Sequence, residues 1–284
     1  MNDLRNLSQS ERLEHVVRLL ETRDYVQVAE LSQTFAVSEV TVRSDLTELA
    51  RQGLVARIRG GVRALQHGNS EVGFDLRLRL EVDRKRAIAR AAAAMVNEGE
   101  AVALDASTTA YYLALELRNK RELVVVTNGL LVATALADAP GITVLVTGGI
   151  LRLSAMSLVG DFGTDILRTT RINKGFLGAR GLSVERGLME LNPDEVRIKQ
   201  EMADACEQVF AIVDGTKWHR SALLSFVPTD KVSAVVTDST APADEVARWR
   251  ARGVDVVTAN PRPGEAVARP RDLRRPIPPD ELIA

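Results

Sequence analysis

The chain has 284 residues, 45% hydrophobic but only 4% aromatic, which leaves room for two domains with cores built mainly from Ala, Val and Leu. A formal net charge of −1 excludes a wholly basic nucleic-acid coat, and no uninterrupted apolar run approaches the roughly 18 residues of a membrane span. The single cysteine, Cys206, excludes an intramolecular disulfide, and the start MNDLRNLSQSERLEH lacks the apolar stretch of a secretory leader, so a soluble cytoplasmic protein is expected.

Periodicity predicts three helices near the N-terminus. Leu13, Val16, Val17 and Leu20 form one apolar stripe, and Val28, Leu31 and Phe35 form a second on a shorter helix. Ala36-Val37 reads as the turn, Ser38 as the N-cap of a third helix, and Val42, Leu46, Leu49 and Ala50 as its buried stripe, with Gly53 at its end. Thr41, Ser44 and Thr47 then face outward with Arg43 at the flank. These are the residue types that read base edges or hold phosphates in a major groove. The alternating run from Leu54 to Arg63 predicts two short strands with Gly60-Gly61 as the turn. Arg51, Arg57, Arg59 and Arg63 make this a basic wing, with no acidic residue between Glu48 and Glu71. Helix, turn, helix and basic hairpin together predict a winged helix-turn-helix that binds double-stranded DNA, over residues 1–63. A protein-contact module without salt-dependent DNA affinity is the competing reading.

A polar connection follows at His67-Gly68-Asn69-Ser70, within a linker at 64–74. From 75 to 259 helix and strand signals alternate. A helix is predicted at 82–96, then strands at 101–104, 123–126, 142–146, 175–177, 209–213, 234–236 and 254–257, with helices at 109–117, 130–137 and 194–206 among them. This pattern predicts an α/β domain on a mostly parallel sheet. Cys206 is placed in the core on the last of these helices. The tail at 260–284 holds six of the ten prolines and five arginines and is expected to be flexible.

Ligands of parallel α/β sheets sit at the carboxyl ends of strands. Asp105-Ala106-Ser107-Thr108-Thr109 ends one strand just before a helix, where hydroxyls and free N–H groups suit an anion. Thr127-Asn128-Gly129 and Thr147-Gly148-Gly149 end two others, and Asp214-Gly215-Thr216-Lys217 a fourth. Glu195 and Lys199 stand at i, i+4, which by itself reads as a surface ion pair of about 0.3–0.5 kcal/mol. His15, His67 and His219 have no ligand spacing, so neither a metal nor a cofactor is expected.

The series 37–46 (VSEVTVRSDL), Leu49, Gly53-Leu54 and 57–61 (RIRGG) resembles the DNA-binding module of the DeoR family of bacterial transcriptional regulators, its GlpR-like group. The family often has two arginines where this chain has Arg43-Ser44, and His where it has Arg59. Residues 83–89 (DRKRAIA), 105–109 (DASTT), 126–128 (VTN), Gly148-Gly149, Gly160, 176–181 (FLGARG), 195–199 (EVRIK) and 214–217 (DGTK) resemble that family's sensor domain in order and spacing. The resemblance implies a fold related to ribose-5-phosphate isomerase and a phosphorylated sugar effector. Lys85, Ser107, Thr108 and Thr109 would hold its phosphate, with Asp105, Thr127, Asn128, Gly148, Gly149, Glu195, Lys199 and Lys217 around the rest. It further implies a repressor that binds operator DNA through Ser38, Thr41, Arg43, Ser44, Thr47, Arg57, Arg59, Gly60 and Gly61 as a homodimer or homotetramer. A sugar-phosphate isomerase or deaminase with a DNA-binding appendage is the alternative. Glu195, Asp105 or Asp161 would be its base, and Asn173 stands where many relatives have Asp; an amide cannot serve as a general base.

Overall fold

The computed structural model describes residues 7–23, 25–51, 55–64 and 74–261. Gly53 and Leu54, residues 65–73 of the expected linker at 64–74 and all but the first two residues of the expected tail lie outside them.

The N-terminal part comprises α1 (Gln9–Thr22), β1 (Tyr25–Gln27), α2 (Val28–Phe35), α3 (Glu39–Arg51), β2 (Val55–Ile58) and β3 (Gly61–Ala64). A capping box starts α1: the Glu11 amide donates to Ser8 Oγ and the Ser8 amide donates back to Glu11 Oε2 at 2.7 Å. Ala36 ends α2 in the left-handed region, with φ 54°, and the chain turns there as Ala36-Val37 suggested. Val16, Leu20, Leu31, Phe35, Val42, Leu46 and Leu49 share one core. The antiparallel sheet runs β1-β3-β2. β1 is too short to announce itself by alternation. The wing turn differs from expectation. Ile58 pairs with Gly61, so Arg59-Gly60 is the two-residue turn and Gly61 opens β3. Gly60 takes φ 82°, and a Cβ on Gly61 would lie 2.1 Å from the Val26 carbonyl oxygen, so the first glycine serves the turn and the second the close approach of β1.

The larger part contains α4 (Phe74–Arg79), α5 (Val82–Ala93), β4 (Ala101–Leu104), α6 (Thr108–Leu117), β5 (Leu123–Thr127), α7 (Leu130–Leu136) and β6 (Ile142–Val146). A hairpin of β7 (Ile150–Arg152) and β8 (Ser157–Val159) follows, then α8 (Asp165–Thr169), β9 (Ile172–Leu177), β10 (Gly181–Ser183), β11 (Gly187–Glu190) and α9 (Pro193–Asp204). The chain closes with β12 (Cys206–Ile212), β13 (Leu224–Val227), β14 (Ala234–Asp238), α10 (Ala243–Ala251) and β15 (Asp255–Ala259). Seven strands form one sheet in the order β15-β14-β12-β9-β4-β5-β6, and every pairing in it is parallel. Parallel strands need crossovers that cover both faces. Accordingly, α5, α6 and α7 pack on one side with Val102, Leu104, Phe176 and Ile212. On the other side α9 and α10, with Met202 and Trp249, pack on Ala103, Leu177, Ala211 and Val235. A second, antiparallel sheet, β10-β11-β13, flanks this body.

One sequence expectation is corrected. The helix at 194–206 ends at Asp204, and Cys206 is the first residue of β12, with its thiol donating to the Met202 carbonyl at 3.0 Å. Burial pushes that thiol up to about 12, which leaves it unreactive at neutral pH. Asn173 has a structural place instead: its Oδ1 accepts from the Ala101 amide at 3.0 Å, at the amino-terminal edge of the sheet. Among the described residues no helix is long and apolar enough to cross a membrane.

The strand order fixes where a ligand can enter. From β4 the chain moves outward through β5 and β6, then returns to the other flank of β4 with β9 and continues through β12. Connections therefore diverge between β4 and β9, and a crevice opens beyond the carboxyl ends of those strands.

Candidate functional site

Two surfaces collect the candidate residues. The first is the outer face of α3 with the wing. Ser38 Oγ accepts from the Thr41 amide at 3.1 Å, so Ser38 caps α3 as expected, and the two hydroxyls lie 2.9 Å apart. Arg43, Ser44 and Thr47 are exposed. Arg43 pairs with Glu39 one turn earlier at 2.5 Å, a surface pair that a phosphate can displace. Thr47 Oγ1 donates to the Arg43 carbonyl and accepts from Arg57 at 3.1 Å, which ties the wing to the helix. Arg59 projects from the turn, and its carbonyl accepts from the Tyr25 hydroxyl at 3.2 Å.

The inner face of α3 carries a group that sequence reasoning missed. Asp45 is 2% exposed and accepts from Arg12 Nε at 2.7 Å and from Gln9 at 3.0 Å. Arg12 also donates to the Leu7 carbonyl. The pair fixes α3 to α1 and hence sets how α3 is presented. Its signal was an acid adjoining Leu46 within an apolar stripe.

The second surface is a cavity in the crevice between β4 and β9. Ser107, Thr108 and Thr109 line it after β4, Gly178, Ala179 and Arg180 after β9, and Asp214, Thr216 and Lys217 after β12. Lys85 reaches it from α5, Glu195 and Lys199 from α9, Arg152 from β7 and Glu190 from β11. Ser107 Oγ accepts from the Ala110 amide and so caps α6, which leaves Thr108 and Thr109 as the hydroxyls beside the helix N-terminus. The positive end of the helix dipole therefore points into the cavity. Glycine is required at 178, because a Cβ there would sit 2.5 Å from that of Ser107.

Behind this lining lies a buried charge network. Lys199 Nζ is 3.0 Å from Glu190 Oε2 and 3.1 Å from Asp105 Oδ2, and donates to the Gly178 carbonyl at 3.0 Å. Asp105, fully buried, also accepts from the amides of Ser107 and Gly178. Burial alone would lower the Lys199 pKa, but Glu190, Asp105 and Glu195 overcome it and hold the ammonium charged, above its ordinary range. Burial likewise opposes the charged form of Glu190, yet Lys199, Arg180 and the Leu191 amide bring that carboxyl down to about 2. Asp214 is also lowered: against burial act Lys217, Lys85 and the hydrogen bonds of Thr216. Glu195 accepts from Arg152 at 3.1 Å and from the Ser157 hydroxyl on the same oxygen.

The expected effector residues thus separate. Lys85, Ser107, Thr108, Thr109, Glu195, Lys199 and Lys217 line one cavity, with Asp105 directly behind it. Thr127, Asn128, Gly148 and Gly149 do not line it. Thr127 Oγ1 accepts from the Gly129 amide, Asn128 donates to the Leu158 carbonyl, and Gly149 makes close backbone contact with Val159. They belong to the seating of the β7–β8 hairpin, on strands one and two places further out from the crevice. The i, i+4 reading of Glu195 and Lys199 is also corrected: both are buried, and each pairs elsewhere. Arg77, Glu81, Arg152, Arg180, Glu190 and Arg220 line the cavity without having been singled out for it. Arg77 reaches it from α4, Arg152 from the hairpin and Glu190 from the small sheet, and Glu81, Arg180 and Arg220 from connecting segments, whose meeting has no local signature. Asp161 is exposed and pairs with Arg197 at 2.9 Å, away from the cavity lining.

Comparison with known proteins agrees along the chain. A model of the DeoR-like helix-turn-helix domain matches residues 12–67, and one of the DeoR C terminal sensor domain matches 80–239. The HTH-type transcriptional regulator YulB of Bacillus subtilis is 35% identical, covering 81% of this chain and 89% of its own. The HTH-type transcriptional regulator GolR of Listeria innocua is 32% identical, over 81% and 90%. The glycerol-3-phosphate regulon repressor of Escherichia coli is 31% identical, over 83% and 93%. Among solved structures, ribose 5-phosphate isomerase A from Neisseria gonorrhoeae matches 47% of this chain and 52% of its own at 16% identity and a TM-score of 0.34, a likeness too weak to carry an argument. The sensor fold is established instead by its own seven parallel strands. With both family models matched in order and relatives aligned over four fifths of its length, the chain belongs to the DeoR family of DNA-binding transcriptional regulators and is not an enzyme.

Proposed function

We propose that this protein represses sugar-metabolism genes from the cytoplasm and leaves its operator when a phosphorylated sugar enters the sensor cavity. The observation that carries the reading is the charge of that cavity. Seven Lys and Arg side chains line it against four carboxylates, and Thr108 and Thr109 border it at the N-terminus of α6. A dianionic phosphate ester fits such a place through charge-assisted hydrogen bonds. Glu190 and Glu195, held by Arg180 and Arg152, supply acceptors for sugar hydroxyls further in. The E. coli relative's name, glycerol-3-phosphate regulon repressor, points to the same chemical class.

At the other end, α3 enters the major groove with Ser38, Thr41, Arg43, Ser44 and Thr47. Arg57, Arg59 and the Gly60-Gly61 wing meet the neighbouring backbone. This division takes residues 1–63 as the DNA-binding domain, 64–74 as linker, 75–259 as sensor and 260–284 as tail. Paired half-sites require a two-fold assembly, a homodimer or homotetramer. Ile150 and Phe162, 61% and 87% exposed, offer apolar surface that a second copy would cover.

Fluorescence anisotropy with DNA from upstream of the protein's own gene tests the reading, with and without a panel of sugar phosphates. Specific binding relieved by one of them is the expected result. Binding that none of them relieves removes the effector class, and no binding at low salt removes the DNA assignment.

A further inference from the structure

The segment leading into the sensor is fastened to both domains. α4 has only six residues, so its last carbonyls lie beyond its own hydrogen-bond ladder, although the Arg77 carbonyl accepts from the Leu80 amide at 3.3 Å. Sensor side chains meet them: Lys85 Nζ donates to the Arg77 carbonyl at 2.5 Å and to the Leu80 carbonyl at 2.6 Å, and the Tyr112 hydroxyl donates to the Leu78 carbonyl at 3.0 Å. At the other end of the segment the Phe74 amide donates to the Ser154 carbonyl at 2.9 Å. Leu80 itself borders the sensor cavity, and it also reaches the other domain. It is 4% exposed and belongs to the hydrophobic core of the winged helix, with Val16, Leu20 and Leu46. Among the described residues it is the one member of that core from beyond Val62.

Lys85 also lines the sensor cavity, close enough to Asp214 to lower its pKa together with Lys217. One buried ammonium therefore stands between the carbonyls that place Leu80 and the place of a bound anion. We propose that Lys85 is the mechanical link between effector and DNA: an anion at the N-terminus of α6 draws its ammonium off the Arg77 and Leu80 carbonyls and loosens the hold of Leu80 on the winged helix. The physical basis is competition for one donor. A hydrogen bond to a phosphate dianion is charge-assisted on both sides, whereas a carbonyl offers only a dipole. Two demands on one donor give a negative coupling, and thermodynamic coupling is reciprocal. Anything that weakens the fastening of residues 74–80 must therefore tighten anion binding. This link rests on the anionic-effector reading above and adds the route by which the signal leaves the cavity.

The test uses the full chain with inorganic phosphate, glycerol 3-phosphate and ribose 5-phosphate as probes, at ionic strength held constant with chloride. Amide hydrogen exchange is followed over residues 74–81, and probe affinity is measured by calorimetry for the wild type and for Tyr112→Phe. Tyr112 lies outside the cavity lining, and its hydroxyl fastens the segment. The expected results are faster exchange over 74–81 when a probe binds, and probe binding about threefold to tenfold tighter in Tyr112→Phe, the reciprocal of one lost hydrogen bond. If a probe binds the wild type while exchange over 74–81 is unchanged, or if Tyr112→Phe binds it no more tightly, the link is overturned and the effector reading stands. If none of the three probes binds the wild type, the effector reading falls and takes the link with it. The exchange measurement needs no variant, so a poorly folding Tyr112→Phe leaves the proposal exposed to refutation.

Discussion

The winged helix and the sensor place their charges in opposite ways. On the winged helix the candidate contacts Arg43, Ser44, Thr47, Arg57 and Arg59 are all exposed, and the buried charge pair, Arg12–Asp45, sits on the inner face of α3. In the sensor the candidate contacts are buried: Lys85, Asp105, Glu190, Glu195 and Lys199 are each less than 7% exposed. The difference is the one expected of the partners proposed for them. A DNA duplex is a polyanion met from solvent, so its binding residues need not disturb an apolar core. A small anion must be desolvated and held by fixed donors, so its site is built into the middle of the fold, and stability and binding fall on the same residues.

The sharpest test of this contrast is Lys199→Met. It leaves Asp105 and Glu190 buried without their shared cation and should cost about 3–5 kcal/mol of sensor stability. Both tryptophans, Trp218 and Trp249, lie in the sensor, so denaturant unfolding followed by their fluorescence reports that domain. A loss below about 1 kcal/mol would show that water already screens the network, and the contrast would fail.

Acid should act next most strongly. The Glu190 carboxyl is held at about 2 in the folded protein against 4.5 unperturbed. A depressed carboxylate contributes stability that is complete above pH 4.5 and disappears as pH falls toward 2, here roughly 3 kcal/mol. Asp214 acts in the same direction. Tryptophan-detected stability should therefore fall between pH 5 and 2 and do so less steeply in Glu190→Gln; equal slopes would count against the assignment.

Asp45→Asn should cost the winged helix about 2 kcal/mol, because Arg12 keeps the Leu7 carbonyl but loses its counter-charge. Circular dichroism melting checks this, and an unchanged N-terminal transition would remove Asp45 as the anchor of α3. The smallest effect on the fold belongs to Arg59→Ala, within about 0.5 kcal/mol, since the residue is exposed and its backbone carbonyl, which the substitution keeps, accepts from Tyr25. Operator affinity should nonetheless fall, and the slope of log K against log salt should shrink by about one. An unaltered slope would mean that the wing does not touch phosphate.

The two regions also differ in how far they could be read before folding. Helices α1, α2 and α3 were legible because each buries one face, so Val16, Val17 and Leu20 or Val42, Leu46 and Leu49 recur at the helical period. The long strands of the sheet were legible as apolar runs, and the carboxyl end of β4 could be singled out as part of the cavity lining because the hydroxyls, the strand end and the helix start are consecutive in the chain. Local order also accounts for the residues that were grouped with this cavity but do not line it. Thr127, Asn128, Gly148 and Gly149 lie at strand ends like Ser107 does, and nothing local separates strands that flank the crevice from those further out.

By itself, then, the sequence determined the local frame: the elements with a strong period, the alternation that demands a parallel sheet, the basic wing and the polar turn before α6. Tertiary structure alone decided the strand order that opens the crevice at β4 and β9. It also decided the company of Arg77, Arg152, Arg180 and Glu190 in one cavity, the pairing of Lys199 with Asp105 rather than Glu195, and the reach of Leu80 into the other domain. The reason is physical. Periodicity reports which face of an element avoids water, whereas a buried charge is tolerated only beside partners brought from distant parts of the chain, and no local pattern carries that information.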